Sequence, residues 1–243
     1  MQEFKTQSWA ISLDLRSRLC SACLFTVGLS VLCLFGLLGE ALGQDVGDTA
    51  PRGRGVQVEK GRASEEPRVA NAVFGGGCFW CLEAVYQHVK GVHRVESGYA
   101  GGKASDANYD AVCSGRTDHA EVVRLEFDSS VISFKQLLEI FYAIHDPTTL
   151  NRQGNDVGSQ YRSVIFTHDE SQKTAAMELV KQLDESGIFG NKIVTEISDL
   201  PNYYPAEEYH QNYFNLHPDQ GYCAFVVSPK VSKFRDQFKD LLM

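Results

Sequence analysis

The feature that most constrains this chain is a junction between two elements. Residues 70–74 form a short apolar run that ends in three glycines, Gly75, Gly76 and Gly77. Beyond Cys78 the apolar residues Phe79, Leu82, Val85, Tyr86 and Val89 recur at helical spacing. A strand that stops in a glycine turn and feeds a helix sets the direction of both elements, and here it puts a thiol at the helix start. The spacing predicts a helix over residues 78–89, a strand over 92–99 and a loop reaching Asp118. It continues with an alternating strand over 121–127. A helix from Ser133 carries Phe134, Leu137, Leu138, Phe141 and Ile144 on one side and is stopped by Asp146-Pro147. An irregular stretch with Asn151 to Gln160 leads to a strand (162–167), a helix (169–185), a strand (193–197) and helical stretches over 206–216 and 231–242. Strands and helices mix without strict βαβ alternation, so the expected class is α+β.

The folded domain is expected over residues 69–228, with a helical tail over 229–243. Ahead of it, no charged residue falls between Leu19 and Gly39; Arg16 and Arg18 precede the run and Ala41-Leu42-Gly43 follows Glu40. That is the pattern of a signal peptide, read as residues 1–43 with cleavage after Gly43. A retained membrane anchor is the alternative reading, because 21 uncharged residues span a bilayer. Either way the rest of the chain is expected to be exported, as a periplasmic, secreted or membrane-anchored protein. Residues 44–68 are polar, rich in glycine and charge, and read as a flexible linker.

A formal net charge of −8 with no block of Lys or Arg excludes a nucleic-acid binder, which needs a basic footprint. Of the seven cysteines, Cys20, Cys23 and Cys33 lie in the expected leader, leaving Cys78, Cys81, Cys113 and Cys223. Four thiols in a domain of this size do not make a disulfide scaffold. Cys78-x-x-Cys81 lacks the second ligand pair that a zinc site requires.

Cys78 is the candidate nucleophile. Unpaired N–H groups and the positive end of the helix dipole are expected to favour its thiolate. Cys81 lies one turn on, within reach of the same face. Phe79 and Trp80 cannot both face the core at that spacing, so one or both are expected to line an apolar pocket around the thiol.

Gly77-Cys78-Phe79-Trp80, with Glu83 and Gly91-Val92, resembles the A-type peptide methionine sulfoxide reductases. So do Gly98-Tyr99-Ala100-Gly101-Gly102, Asn108 to Gly115, His119-Ala120-Glu121, His145-Asp146-Pro147, Gln153 to Ser163 and Gly221-Tyr222-Cys223, in the family order over about residues 70–226. The resemblance implies a two-layer sandwich with a mixed sheet and a ferredoxin-like core. It implies reduction of the S-epimer of methionine sulfoxide, free or in peptides and proteins, by Cys78. Glu121 matches the acid that protonates the departing oxygen; Tyr109 and Tyr161 match phenols that bond it, with Asp156 orienting them; Phe79 and Trp80 cradle the S-methyl group. Cys223 matches the resolving thiol, with Cys81 the alternative, and Ala224 to Met243 lacks the further recycling cysteine of many relatives. Thioredoxin or an exported thioredoxin-like protein is the implied reductant, and no metal or organic cofactor is implied. Cys113, His119 and His145 are expected to be structural. Two other classes stay open: an exported thiol–disulfide oxidoreductase working through Cys78 and Cys81, and a secreted binding module with an aromatic pocket at Trp80.

Overall fold

The computed structural model describes residues 68–243. The expected leader and all of the expected linker but Arg68 lie outside the described residues. No helix among the described residues is long and apolar enough to cross a membrane.

The strands are β1 (Val69–Gly76), β2 (Val92–Ala100), β3 (Ala120–Asp128), β4 (Arg152–Gln153), β5 (Asp156–Val157), β6 (Ser163–Thr167), β7 (Glu196–Asp199) and β8 (Tyr203–Pro205). Six of them make one sheet in the order β7-β6-β1-β3-β2-β8, and β4 pairs with β5 apart from it. Within the large sheet only β6–β7 is parallel. The helices are α1 (Phe79–Tyr86), α2 (Tyr109–Cys113), α3 (Phe134–Ile144), α4 (Glu170–Ser186), α5 (Tyr213–Leu216) and α6 (Ser228–Gln237). The fold is therefore α+β, as the element pattern predicts, with the mixed sheet that the resemblance implies.

Alternation along β1 explains why it lies near the sheet's centre. Phe74 turns to the helix layer, its ring 5.3 Å from Phe141, 5.8 Å from Phe134 and 5.9 Å from Tyr86. Val73 turns to the opposite face and joins Ala100, Ala120, Val122, Val164 and Phe166, covered by Leu200 and Tyr203. Where β1 is buried on both faces, from Ala72 to Gly76, it carries only apolar residues and glycine. Helix α3 starts at a capping box in which Ser133 and Gln136 satisfy each other's backbone N–H groups. Helix α4 is capped by Asp169 and ends at Gly187 in the left-handed region.

Several boundaries differ from the sequence expectation. Helix α1 is shorter, because Cys78 is its N-cap and Val89 instead bridges to Leu242. The expected loop before Asp118 contains α2, capped by Asn108, whose side chain accepts from the Ala111 N–H. β7 is displaced towards the C-terminus: its pairing with β6 starts at Val164 opposite Glu196, while Ile193 is anchored earlier through its N–H to Asp184. The stretch 206–216 is not one helix, because Asn212 takes a positive φ of 54° between a 3₁₀ turn (Glu208–His210) and α5. Residues 229–243, expected as a tail, are integral to the body. Val231 and Phe234 of α6 are buried. The Lys90 N–H donates to the Leu241 carbonyl at 2.7 Å, and the Met243 N–H to that of His88 at 3.1 Å.

The β1–β3 register positions the site. Val73 lies opposite Arg124 and Phe74 opposite Val123. Continued by two residues, that register sets Gly76 opposite Glu121, just before the chain turns into α1. A Cβ on Gly75 would lie 2.8 Å from the Glu121 carbonyl, and one on Gly77, whose φ is +98°, would lie 2.6 Å from Cγ of Gln153. Gly77→Ala is expected to destabilise the protein by about 1–3 kcal/mol through backbone strain alone, with the contact adding to it. Urea unfolding of the two proteins measures this, and equal midpoints would refute the requirement for a positive φ.

Candidate active site

Segments from several parts of the chain converge where β1 turns into α1. Cys78, the N-cap of α1, is buried. Glu121, near the start of β3, is 1% exposed, and its Oε2 accepts the Phe79 N–H at 3.1 Å. Burial pushes the Glu121 carboxyl up to about 8, helped by the charges of Asp156 and Cys81 and opposed by the Phe79 N–H and the Cys78 thiol. At neutral pH it is a carboxylic acid in contact with a helix N-terminus.

The thiols do not ionise as the helix-end argument predicts. Burial pushes the Cys78 thiol well above its ordinary range, with Cys81 and Glu121 adding to the rise; only the Trp80 N–H works against them. The helix end is thus outweighed by loss of solvent and by neighbouring negative charge. Cys81 carries the lowered value instead, about 6, through the Cys78 thiol that donates to it, the Lys230 ammonium and the Tyr222 hydroxyl. In the substrate-free enzyme the charge of the pair rests on Cys81.

Both candidate phenols are brought to the same place. Tyr109 begins α2, its N–H held by Glu207 Oε1 at 2.9 Å, and Tyr161 ends the 3₁₀ turn Ser159–Tyr161. Burial raises both phenols above their ordinary range; the Glu121 and Cys78 charges add to both, and Asp156 adds at Tyr161. They remain neutral O–H donors. Asp156 is in the cluster, but the hydroxyl it accepts is that of Tyr222, at 2.6 Å. Tyr222 Oη in turn lies 3.9 Å from the Cys81 sulfur.

Phe79 and Trp80 do part company: Phe79 is buried and Trp80 half-buried. The Trp80 indole is stacked on Tyr213 at 3.8 Å between ring centres and 6° between planes. Tyr222 meets its edge at 5.9 Å, and His210 packs on Phe79, Trp80 and Tyr109 at 5.1, 5.5 and 4.4 Å. The sequence reading missed Tyr213, His210, Tyr222 and Glu207 as members of this wall. One signal was available. Glu83 puts a charge on the apolar side of α1, between Leu82 and Tyr86. Its carboxylate accepts the N–H groups of Asn212 and Tyr213 at 2.8 and 3.2 Å and so fixes Tyr213 against Trp80. Burial pushes this carboxyl up to about 7.

Cys223 is not on an open loop. It is fully buried in the helical turn Cys223–Val227, ahead of α6, and its electrostatic neighbour is Cys81. Cys113 closes α2 with its thiol hydrogen-bonded to Tyr109. His119 is a buried loop staple between the Gly102 N–H and the Lys103 carbonyl, and His145 bridges the Phe141 carbonyl and Ser163.

A buried thiol pair beside a protonated acid, neutral phenols and an aromatic wall is the equipment of a thiol-dependent oxidoreductase. The family model for peptide methionine sulfoxide reductase matches residues 70–242, which takes in all of α6 as well as the segments quoted above. The chain belongs to this family, and it is an enzyme, an oxidoreductase. It is 58% identical over 176 residues to the peptide methionine sulfoxide reductase MsrA of Polynucleobacter asymbioticus, covering 72% of this chain and 93% of the relative. With the MsrA of Trichodesmium erythraeum it shares 57% over 168 residues, 69% of this chain and 95% of the relative. Among solved structures, Mxr1 from Saccharomyces cerevisiae in reduced form superposes with a TM-score of 0.59 at 35% identity, covering 64% of this chain and 89% of that one. Methionine sulfoxide reductase A of Corynebacterium diphtheriae does so at 0.58 and 34%, covering 66% and 80%.

A carboxyl whose pKa folding raises stabilises the fold fully below its unfolded value, and that stability is lost as pH climbs through the folded value. For Glu121 the window runs from about pH 4.5 to about 8. Glu121→Gln is therefore expected to remove this component, so that stability falls less steeply with pH over this range than in the wild type. Urea midpoints measured across the window test it; an unchanged slope would show that Glu121 is not buried as an acid.

Proposed function

We propose that the chain reduces the S-epimer of methionine sulfoxide, free or in proteins, to methionine, through a sulfenic acid on Cys78 that a second thiol resolves. The observation that carries this is the buried, protonated Glu121 held beside Cys78 by the Phe79 N–H. Attack by the Cys78 sulfur on the sulfoxide sulfur pushes electrons onto the oxygen, which needs a proton as it leaves. Glu121 supplies that proton and recovers the one shed by the Cys78 thiol, so a thiol and a sulfoxide become a sulfenic acid and a thioether with no net proton exchange. Tyr109 and Tyr161 donate to the oxygen as charge develops on it. Phe79 and Trp80 enclose the S-methyl group, with the Tyr213 ring stiffening the indole.

The sulfenic acid then condenses with a second thiol to a disulfide. Cys223 is the thiol that the family segment indicates, with Cys81 the alternative. A dithiol protein of the thioredoxin type returns the two electrons. The four antiparallel strands β6-β1-β3-β2, linked through α1 and α3, support a two-layer, ferredoxin-like core. The uncharged run over 19–39 and the triplet Ala41-Leu42-Gly43 support export, by a cleaved signal peptide or a retained anchor, and hence repair of oxidised proteins outside the cytoplasm. A disulfide oxidoreductase would use Cys78 and Cys81 but has no need of Glu121, Tyr109 or Tyr161.

The test is a dithiothreitol-driven assay on separated S and R epimers of a methionine sulfoxide peptide. Turnover of the S epimer alone is expected, abolished in Cys78→Ser and reduced on the order of 10²-fold or more in Glu121→Gln. No turnover of either epimer by folded, reduced protein would overturn the reading.

A further inference from the structure

Cys81, rather than Cys223, is the thiol in contact with the nucleophile. It lies in the first turn of α1, its N–H donating to the Cys78 carbonyl at 3.0 Å, and the Cys78 thiol hydrogen-bonds to its sulfur. Cys78, as the N-cap, and Cys81 thus make a C-x-x-C pair across the first turn of α1. On its other side, the Cys81 sulfur meets the Tyr222 hydroxyl at 3.9 Å and the Lys230 ammonium. Cys223 follows Tyr222 directly, and the one titratable group that bears on it is Cys81. Cys81 therefore bears on both other thiols, through a hydrogen bond with Cys78 and through its charge on Cys223.

We propose that Cys81 is the first resolving thiol and that Cys223 then takes the disulfide from it, so oxidation leaves the active-site sulfur in two steps. The proposal rests on the reductase reading above. In the first step the Cys81 thiolate attacks the sulfur of Cys78–SOH: the Cys78–Cys81 bond forms, the S–O bond breaks, and hydroxide leaves as water with a proton from Glu121. Cys78 is reduced and Cys81 oxidised, both to the disulfide level. In the second step the deprotonated Cys223 sulfur attacks Cys81; the Cys81–Cys223 bond forms, and Cys78 departs as a thiolate that takes up the proton Cys223 released. An external dithiol then reduces Cys81–Cys223.

Electrostatics orders the two steps. Attack on sulfenic sulfur requires a thiolate, and in the resting enzyme that is Cys81, stabilised by Lys230 and Tyr222. Cys223 begins as the poorer nucleophile: burial and the Cys81 charge both push its thiol upwards. Once Cys81 enters a disulfide its charge is gone. That removes the repulsion on Cys223 and eases its ionisation. Tyr222, held by Asp156 at 2.6 Å, keeps Cys223 beside Cys81 while this happens.

The experiment is a single turnover of the fully reduced chain with an S-sulfoxide peptide and no reductant, quenched with an alkylating reagent at successive times and mapped by peptide mass. Expected is a Cys78–Cys81 disulfide first, replaced by Cys81–Cys223. Cys223→Ser is expected to stop at Cys78–Cys81. Cys81→Ser is expected to release one methionine and stop at a sulfenic acid that dimedone traps, its disappearance slowed on the order of tenfold or more. Lys230→Met, which keeps all three thiols, is expected to slow formation of the first disulfide. A Cys78–Cys223 disulfide forming in Cys81→Ser at the wild-type rate, or appearing first in the wild type, would overturn the relay and leave the reductase reading intact. Absence of methionine from the wild type would overturn both.

Discussion

The site depends on one buried interaction, the Glu121 carboxyl against the N-terminus of α1. A carboxyl taken out of water beside a thiol cannot carry its charge cheaply, so it keeps its proton to about 8. That proton is what sulfoxide chemistry requires, because the oxygen is a poor leaving group until it is protonated. The sheet register brings the two groups together: β3 lies antiparallel to β1, and their pairing continues towards Glu121 as β1 gives way to the glycine turn. Three residues without side chains let the backbone pass between Glu121, Val164 and Gln153 without collision.

Around this pair, buried and half-buried carboxylates hold the aromatic rings. Glu83 fixes the backbone of Asn212 and Tyr213, and Tyr213 lies flat on Trp80. Glu207 accepts from both the Tyr99 hydroxyl and the Tyr109 N–H, tying β2 to the start of α2. Asp156 holds Tyr222. Each of these carboxylates joins segments some 65 to 130 residues apart in the chain, so the wall is assembled by tertiary contacts rather than by any local motif.

Much of the fold was legible because local signals and tertiary demand agree. The apolar run before Gly75, the alternation over 121–127, the Ser133 cap and the Asp146-Pro147 stop all mark elements close to where they form. The short edge strand β8 and the turns around His210 were not legible, because Tyr203 to Tyr213 has no regular apolar period and its conformation is set by Glu83, Ser97 and Gly98 from elsewhere. At the site, the residues that bear the chemistry were recognisable by type and order, and the structure gathers Cys78, Glu121, Tyr109, Tyr161 and Asp156. Their ionisation was not recognisable. A helix N-terminus favours thiolate in isolation, but whether it wins depends on burial and on which groups lie nearby, and here burial above all, with Cys81 and Glu121 adding to it, reverses it at Cys78.

The central claim is that Glu121 is a protonated acid beside the nucleophile in the resting enzyme. Infrared difference spectra of the reduced protein against Glu121→Gln, taken across a pH titration, test it most directly. The account predicts a carboxylic acid carbonyl band present at neutral pH and lost with a midpoint near 8. A carboxylate band at neutral pH with no acid signal would contradict it.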